Sequence, residues 1–326
     1  MENFYDGKRV LVTGGHGFLG KHLVRKLREK TALVTAPHRE DLDLTHPSCV
    51  VDFIAKHRSL RLGSGFDLVF HLAAHVGGIH YNTLHPYELI EDNCNMAFAA
   101  VTIANAFNAV LVGAGSVCAY PKYVPVPAIE ENLYKGYPEE SNGAYGNAKR
   151  ILLEAQKAAW DQYGLRSIHI VSANLYGPGD NFDPAQSHVI PSLILKVQEC
   201  IDEGSDHINV WGTGEASRDF LYVEDAADAY LIAGEHASRV PGRPEPLNIA
   251  SNSEVRIAWL AKKICEIMGY DGEIVYDATK PDGQKRRAFR IERYRHYTGW
   301  EPTTPLDVGL ERTVKYFRKH IYQKGI

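Results

Sequence analysis

The sequence predicts an α/β fold, a doubly wound parallel sheet joined to a smaller C-terminal α/β domain. Three observations predict it. Short β-rich runs alternate with helical stretches through the first half, the first run passes straight into a glycine-rich turn that opens a helix, and the alternation loosens after "NLYGPGD". In order, "KRVLVTG" reads as a strand and "FLGKHLVRKLREK" as a helix, and "TALVTA", "CVVDFIAKH" and "FDLVFHLAA" continue the rhythm. A long helix around "YELIEDNCNMAFAAVTIANAF" follows, then the strand "AVLVGAG", a helix from about Gly146 to Gln162 and the strand "SIHIVSA". Beyond these come a helix near "VIPSLILKVQECI", a strand "HINVW", and the helical stretches "VRIAWLAKKICEIMG" and "LERTVKYFRKHI".

The chain has 326 residues, 44% apolar and 23% charged, which suits a globular protein with a large core. A net charge of −4 gives no general attraction to nucleic acid or to an anionic membrane. No run is long and apolar enough for a signal or a membrane span, so a cytoplasmic location is expected. Cys49, Cys94, Cys118, Cys200 and Cys265 are scattered and form no C-x-x-C pair. They predict reduced thiols, with neither a disulfide framework nor a metal site.

"VTGGHGFLG" carries G-x-G-x-x-G at Gly15, Gly17 and Gly20, and Gly14 gives the overlapping G-x-x-G-x-x-G spacing. Glycine is required where the backbone turns sharply, approaches the phosphates and packs helix on strand, so residues 1–176 read as a dinucleotide-binding (Rossmann) domain. Residues 177–326 read as mainly a substrate domain, with part of about 212–240 returning to the main sheet. Gly14, Gly17, Phe18, Leu19, Gly20, Ala73 and Ala74 form the candidate cofactor loop and its neighbours. At the second strand tip "APHRE" offers His38 and Arg39 where a carboxylate would favour NAD, so NADP(H) is favoured and NAD(H) is the alternative. Asp43 is assigned to the adenine side.

"GAYGNAKR" places Tyr145 and Lys149 at i and i+4, on one helix face, where an ammonium can tune a phenol and hold the nicotinamide ribose. "GAGSVCAYP" supplies Ser116 at a strand tip, suited to bonding a substrate oxygen. Cys118 stands two residues on. Hydride transfer calls for no thiol, and an ordinary small core residue is the competing reading.

Ser116, Tyr145 and Lys149 together resemble the extended short-chain dehydrogenase/reductase family across essentially the whole chain. "AAHVGGIHYNTLHP", "GSVCAYP", "NLYGPGDNFDPAQSHVIPSLI", "VWGTGEASRDFLYVED" and "DATKPDGQKRR" further resemble the GDP-L-fucose synthase family. The resemblance implies C3/C5 epimerisation of a GDP-linked 4-keto-6-deoxy sugar, with Cys118 as base and His188 as acid, and NADPH-dependent reduction at C4. It implies substrate contacts at Asn174, His188, Lys196, Trp211, Arg218 and Lys280, with support of the sheet end as the other reading of Asn174, and a homodimer through the helices after the third strand and around Lys149. An ion pair with Glu224 or Asp225 is the other reading of Arg218, and the run Lys285–Arg287 also reads as a solvated face. Family members commonly carry arginines where this chain has His16 and Pro37, and Lys196 keeps a charge without the bidentate fork. A redox-neutral NAD-dependent epimerase and a reductase of a related GDP-4-keto-deoxy-heptose are the alternative activities.

Overall fold

Strand and helix alternate from Arg9 onward in the computed structural model, which describes residues 3–59, 65–184, 186–237, 242–280 and 282–324. The first half runs β1 (Arg9–Thr13), α1 (Phe18–Glu29), β2 (Leu33–Thr35), α2 (Pro47–Ser59), β3 (Leu68–His71), α3 (Ile79–Leu84), α4 (Pro86–Phe107), β4 (Val110–Ala114), α5 (Gly143–Tyr163) and β5 (Ser167–Ser172). The second half runs β6 (Asn174–Tyr176), α6 (Val189–Glu203), β7 (His207–Trp211), β8 (Ser217–Tyr222), α7 (Val223–His236), β9 (Pro246–Ile249), β10 (Glu254–Arg256), α8 (Ile257–Met268), β11 (Glu273–Asp277), β12 (Arg286–Arg287), α9 (Glu292–Thr298) and α10 (Leu306–His320).

The main sheet has the order β2-β1-β3-β4-β5-β9 and every pairing in it is parallel. The period of two divides its core. Val10, Val12 and Phe70 join Leu23, Leu27, Ala226 and Tyr230 on one face, and Leu11, Val69 and Leu111 join Phe53, Met96 and Ile103 on the other. The chain steps outward from β1 to β2 and then the opposite way through β3, β4 and β5. A crevice therefore opens beyond the C-terminal ends of β1 and β3, where an open α/β sheet binds its ligand.

The second core holds α6, α8 and α10 against a small sheet of β10, β8 and β12, with β6 also paired to β8, and the β11–β7 pair. Two details differ from the sequence reading. β6 pairs with β8 through Asn174↔Phe220, so the chain leaves the main sheet after Ser172, a few residues before the expected boundary. Within 212–240, β8 belongs to the small sheet and α7 packs against α1. The strand that returns to the main sheet is β9, held by its parallel ladder to β5. Helix α5 begins three residues before the expected Gly146, after a 3-10 turn at Glu140–Asn142, and ends at Gly164, whose φ of +69° stops it.

Candidate active site

The turn between β1 and α1 is built for close backbone approach. Gly14 takes φ +71°, and a Cβ there would lie 2.6 Å from the Ala73 nitrogen; a Cβ on Gly20 would lie 2.0 Å from the Gly14 carbonyl oxygen. Gly17 caps α1 without a side-chain bond, which leaves the first-turn N–H groups free to meet an anion. Phe18 and Leu19 occupy that first turn, and Ala73 and Ala74 follow β3 beside it. This turn fits a dinucleotide pyrophosphate, since a side chain at Gly14 or Gly20 would collide with backbone and force apart the tight strand-to-helix turn that presents those N–H groups.

At the β2 tip the rings of His38 and His16 stack at 3.6 Å, and His16 Nε2 bonds the Ala36 carbonyl oxygen at 2.8 Å. Arg39 donates to Asp43 Oδ2 at 3.1 Å, and Asp43 accepts from Thr45 through Oδ1. Asp43 thus organises the turn. Partial burial raises its pKa, but the bonds from Thr45 and Arg39 outweigh that and lower it overall. His16, with Lys21 and Arg28 on the neighbouring cleft wall, was not among the sequence candidates.

Ser116 caps a 3-10 turn over Val117–Ala119, and its Oγ accepts the Cys118 N–H at 3.1 Å. Tyr145 and Lys149 face this turn from α5. The Lys149 ammonium, 4% exposed, donates to the Ala114 carbonyl oxygen at 2.9 Å. Burial lowers its pKa to about 8, against an opposing pull from Cys118. Burial, and then the Cys118 sulfur, push the Tyr145 phenol well above its ordinary value, while a bond with Ser116 opposes them. Arg150 clamps the loop by donating to the carbonyl oxygens of Ala119, Leu133 and Gly136 at 2.7–2.8 Å.

His188 caps α6 and shares a small cleft with Asn174, Tyr176, Ile190, Arg218 and Phe220. It keeps an exposed edge, while the atoms packed around the ring lower its basicity. Asn174 holds the sheet end by donating to the Asp219 carbonyl oxygen at 3.0 Å. In the loop before His188, burial raises the Asp180 carboxyl to about 7, and its Oδ2 has no partner among the described residues.

Arg218 is not ion-paired to Glu224 or Asp225. Glu224 is taken by His22, Arg25 and Lys26, and Asp225 accepts from Thr303 and Thr304. Arg218 donates instead to the carbonyl oxygens of Ser217 and Gln284, at 2.8 and 2.6 Å. Burial and the neighbouring Arg287 charge bring it down to about 10. Trp211, 64% exposed, has the Lys196 ammonium 5.0 Å and the Lys280 ammonium 5.7 Å from its ring centre.

The run Lys285–Arg287 is not a uniformly solvated face. Arg286 bonds Glu254, whereas Arg287, on the other side of β12, points an N–H at Cys118 Sγ at 3.9 Å. Strand alternation separates the two. Among the described residues no cluster of His, Cys, Asp or Glu is arranged to hold a metal ion, and no helix is long and apolar enough to cross a membrane.

Comparisons with known proteins accord with this geometry. The model of the NAD dependent epimerase/dehydratase family matches residues 10–250. GDP-L-fucose synthase of Sinorhizobium fredii is 36% identical over 319 residues, covering 97% of each chain. GDP-L-colitose synthase of Yersinia pseudotuberculosis is 29% identical over 313 residues, 95% of this chain and 97% of the other. Among solved structures, a GDP-L-fucose synthetase from Naegleria fowleri bound to NADP superposes with a TM-score of 0.82 at 26% identity, covering 98% of this chain and 96% of that one.

Proposed function

We propose, because the chain belongs to the NAD dependent epimerase/dehydratase family and within it to the GDP-L-fucose synthase family, that it converts GDP-4-keto-6-deoxy-D-mannose to GDP-L-fucose by inversion at C3 and C5 and reduction at C4. The observation that carries this reading is the thiol. Reduction alone needs a Ser-Tyr-Lys set, and here Cys118 stands in the same turn, bonded through its N–H to Ser116.

The C4 ketone acidifies the hydrogens on C3 and C5. Cys118, as base, removes one of them and the electron pair passes into the enolate. His188 returns a proton to the opposite face. Ser116, whose oxygen accepts the Cys118 N–H and whose side chain is bonded to the Tyr145 phenol, turns its O–H to the C4 oxygen once the substrate is in place. Tyr145 then gives its proton to that oxygen, and the Lys149 charge balances the phenolate left behind. The Gly14–Gly20 turn would hold NADPH, which when bound would supply the hydride for C4. The His38 and Arg39 tip supports a 2′-phosphate. Arg218, Lys196 and Lys280 meet the GDP diphosphate, with Trp211 beside them.

Two coarser readings complete the proposal. The exposed Phe98 on α4 supports pairing of two copies through α4 and α5. Five unpaired cysteines suit the reducing cytoplasm.

The test incubates the purified protein with GDP-4-keto-6-deoxy-mannose and NADPH in deuterated water. NADPH oxidation with deuterium at C3 and C5, and loss of that deuterium in Cys118→Ser, is the expected result. No oxidation and no deuterium would reject this substrate. Deuterium without oxidation would point to the redox-neutral epimerase, and oxidation without deuterium to a plain reductase such as one acting on a heptose.

A further inference from the structure

Arg287 is held against the Cys118 loop by the fold itself. The segment that carries it is fastened to the chain just beyond Cys118 at several points. Gln284 Nε2 donates to the Lys122 carbonyl oxygen at 3.0 Å, Ala128 N to the Ala288 carbonyl oxygen at 2.8 Å, and Arg290 N to the Ala128 carbonyl oxygen at 2.9 Å. The Phe289 and Tyr120 rings meet at 5.2 Å. On its other side β12 is in register with β8, which sets Arg287 beside Arg218.

Arg286, the chain neighbour of Arg287, is neutralised by Glu254, and among the described residues no carboxylate lies within ion-pair distance of Arg287. A guanidinium keeps its proton at every working pH and is weakly hydrated, so it can stand beside an anion in a cleft. The nucleophilic group within its reach is the sulfur of Cys118, 3.9 Å away.

We propose that Arg287 is a catalytic residue of the epimerisation, donating an N–H to the Cys118 sulfur so that the thiolate stands ready and aimed into the cleft. The inference rests on the reading of Cys118 as base. Cys118 first loses its S–H proton to water, and Arg287 stabilises the sulfur anion that results. The sulfur then takes the proton from the carbon beside the ketone. The C–H bond breaks, the S–H bond forms, and the electron pair enters the enolate. Arg287 keeps its own proton throughout. The Tyr145 phenol, pushed upward by burial and then by the same sulfur, stays protonated until the reduction needs it.

The experiment measures iodoacetamide alkylation of Cys118 against pH in the full chain, with Cys118→Ser as the blank, for wild type, Arg287→Met, Arg287→Gln and Arg287→Lys. We expect Arg287→Met and Arg287→Gln to slow alkylation at pH 7 by roughly tenfold and to move its midpoint upward by about one pH unit, with Arg287→Lys recovering most of the rate. Deuterium entry at C3 and C5 should fall by more than the affinity for GDP does. An unchanged alkylation profile in both uncharged variants would overturn the proposal, and loss of GDP affinity with normal alkylation would make Arg287 a diphosphate ligand instead. If alkylation depends on Arg287 while Cys118→Ser still exchanges deuterium, the ion pair stands and the reading of Cys118 as base fails.

Discussion

The Lys149 ammonium is tethered to the Ala114 carbonyl oxygen at 2.9 Å and stands 5.6 Å from the centre of the Tyr145 ring. The strand tip, rather than the phenol, fixes where this charge sits. Burial brings its pKa to about 8 and pushes the phenol the other way. An alkaline limb near neutrality therefore belongs to the lysine. Its charge is present below pH 8 and lost as pH rises through it, so the rate of C4 reduction should fall above about pH 8. Lys149→Arg, which stays charged, should move the limb upward, and Lys149→Met should lower the rate about 10²–10⁴-fold. A steady-state pH profile of NADPH oxidation checks this. A limb that stays in place in Lys149→Arg would assign it to another group.

Gly146 lets α5 meet the Cys118 loop. A Cβ there would lie 2.3 Å from the Cys118 carbonyl oxygen, a backbone atom that can yield only by moving the loop. Gly146→Ala should cost about 1–3 kcal/mol of stability, as overpacking does. It should also displace Cys118 from Tyr145, and a shift of about 1 Å is worth roughly 10²-fold in rate. Thermal melting with deuterium entry at C3 and C5 tests both. A normal exchange rate would show that the loop absorbs the methyl group elsewhere.

How much of this was readable in the chain depends on how local each relation is. Tyr145 and Lys149 lie one helical turn apart and the glycine loop is a continuous segment, so both were legible without coordinates. Arg218 and Arg287 were not. Arg218 turns away from Glu224 and Asp225 because the segment just before β12, 66 positions along from Arg218, lays the Gln284 carbonyl at its guanidinium. Arg287 reads as one charge in a basic run until the strand puts Arg286 outward and Arg287 inward. The return of β9 was hidden for a similar reason, since "PLNI" is four residues long and only its ladder to β5 gives it a sheet.

Buried histidines tie stability to pH. His71, Gly113 and His169 lie level across β3, β4 and β5, with His71 Nδ1 bonded to Thr13 and His169 Nδ1 to Gln156. Burial, and then the Lys149 charge, hold both rings down at about 3. In the unfolded chain each takes a proton below about 6.5, which the folded ring refuses until about 3, so the stability they contribute is present above 6.5 and lost as pH falls. The raised carboxyls of Asp180 and Asp219 act in the opposite sense, so the comparison must be a difference. Between pH 7 and pH 5 the wild type should lose about 2 kcal/mol relative to His169→Gln. Urea unfolding of both proteins at the two pH values measures it, and a constant difference would mean that His169 protonates in the folded state.

Trp211 gives the substrate side a second test, because its two lysines are held differently. Lys196 is anchored by donating to the Asn209 carbonyl oxygen at 3.1 Å, whereas the exposed Lys280 has the indole itself as its support. An exposed cation over an aromatic face gains about 0.5–1 kcal/mol, so removing the ring should also loosen Lys280. By calorimetry with GDP, Lys280→Ala should weaken binding about threefold to tenfold, an effect that added salt diminishes by screening the diphosphate. Trp211→Ala should weaken it by a similar factor or more. The double variant should then lose less than the sum of the two, since the lysine has already lost its support in Trp211→Ala. Strict additivity would mean that the ring and the ammonium meet the ligand independently, and Trp211 would then act as a stacking surface alone.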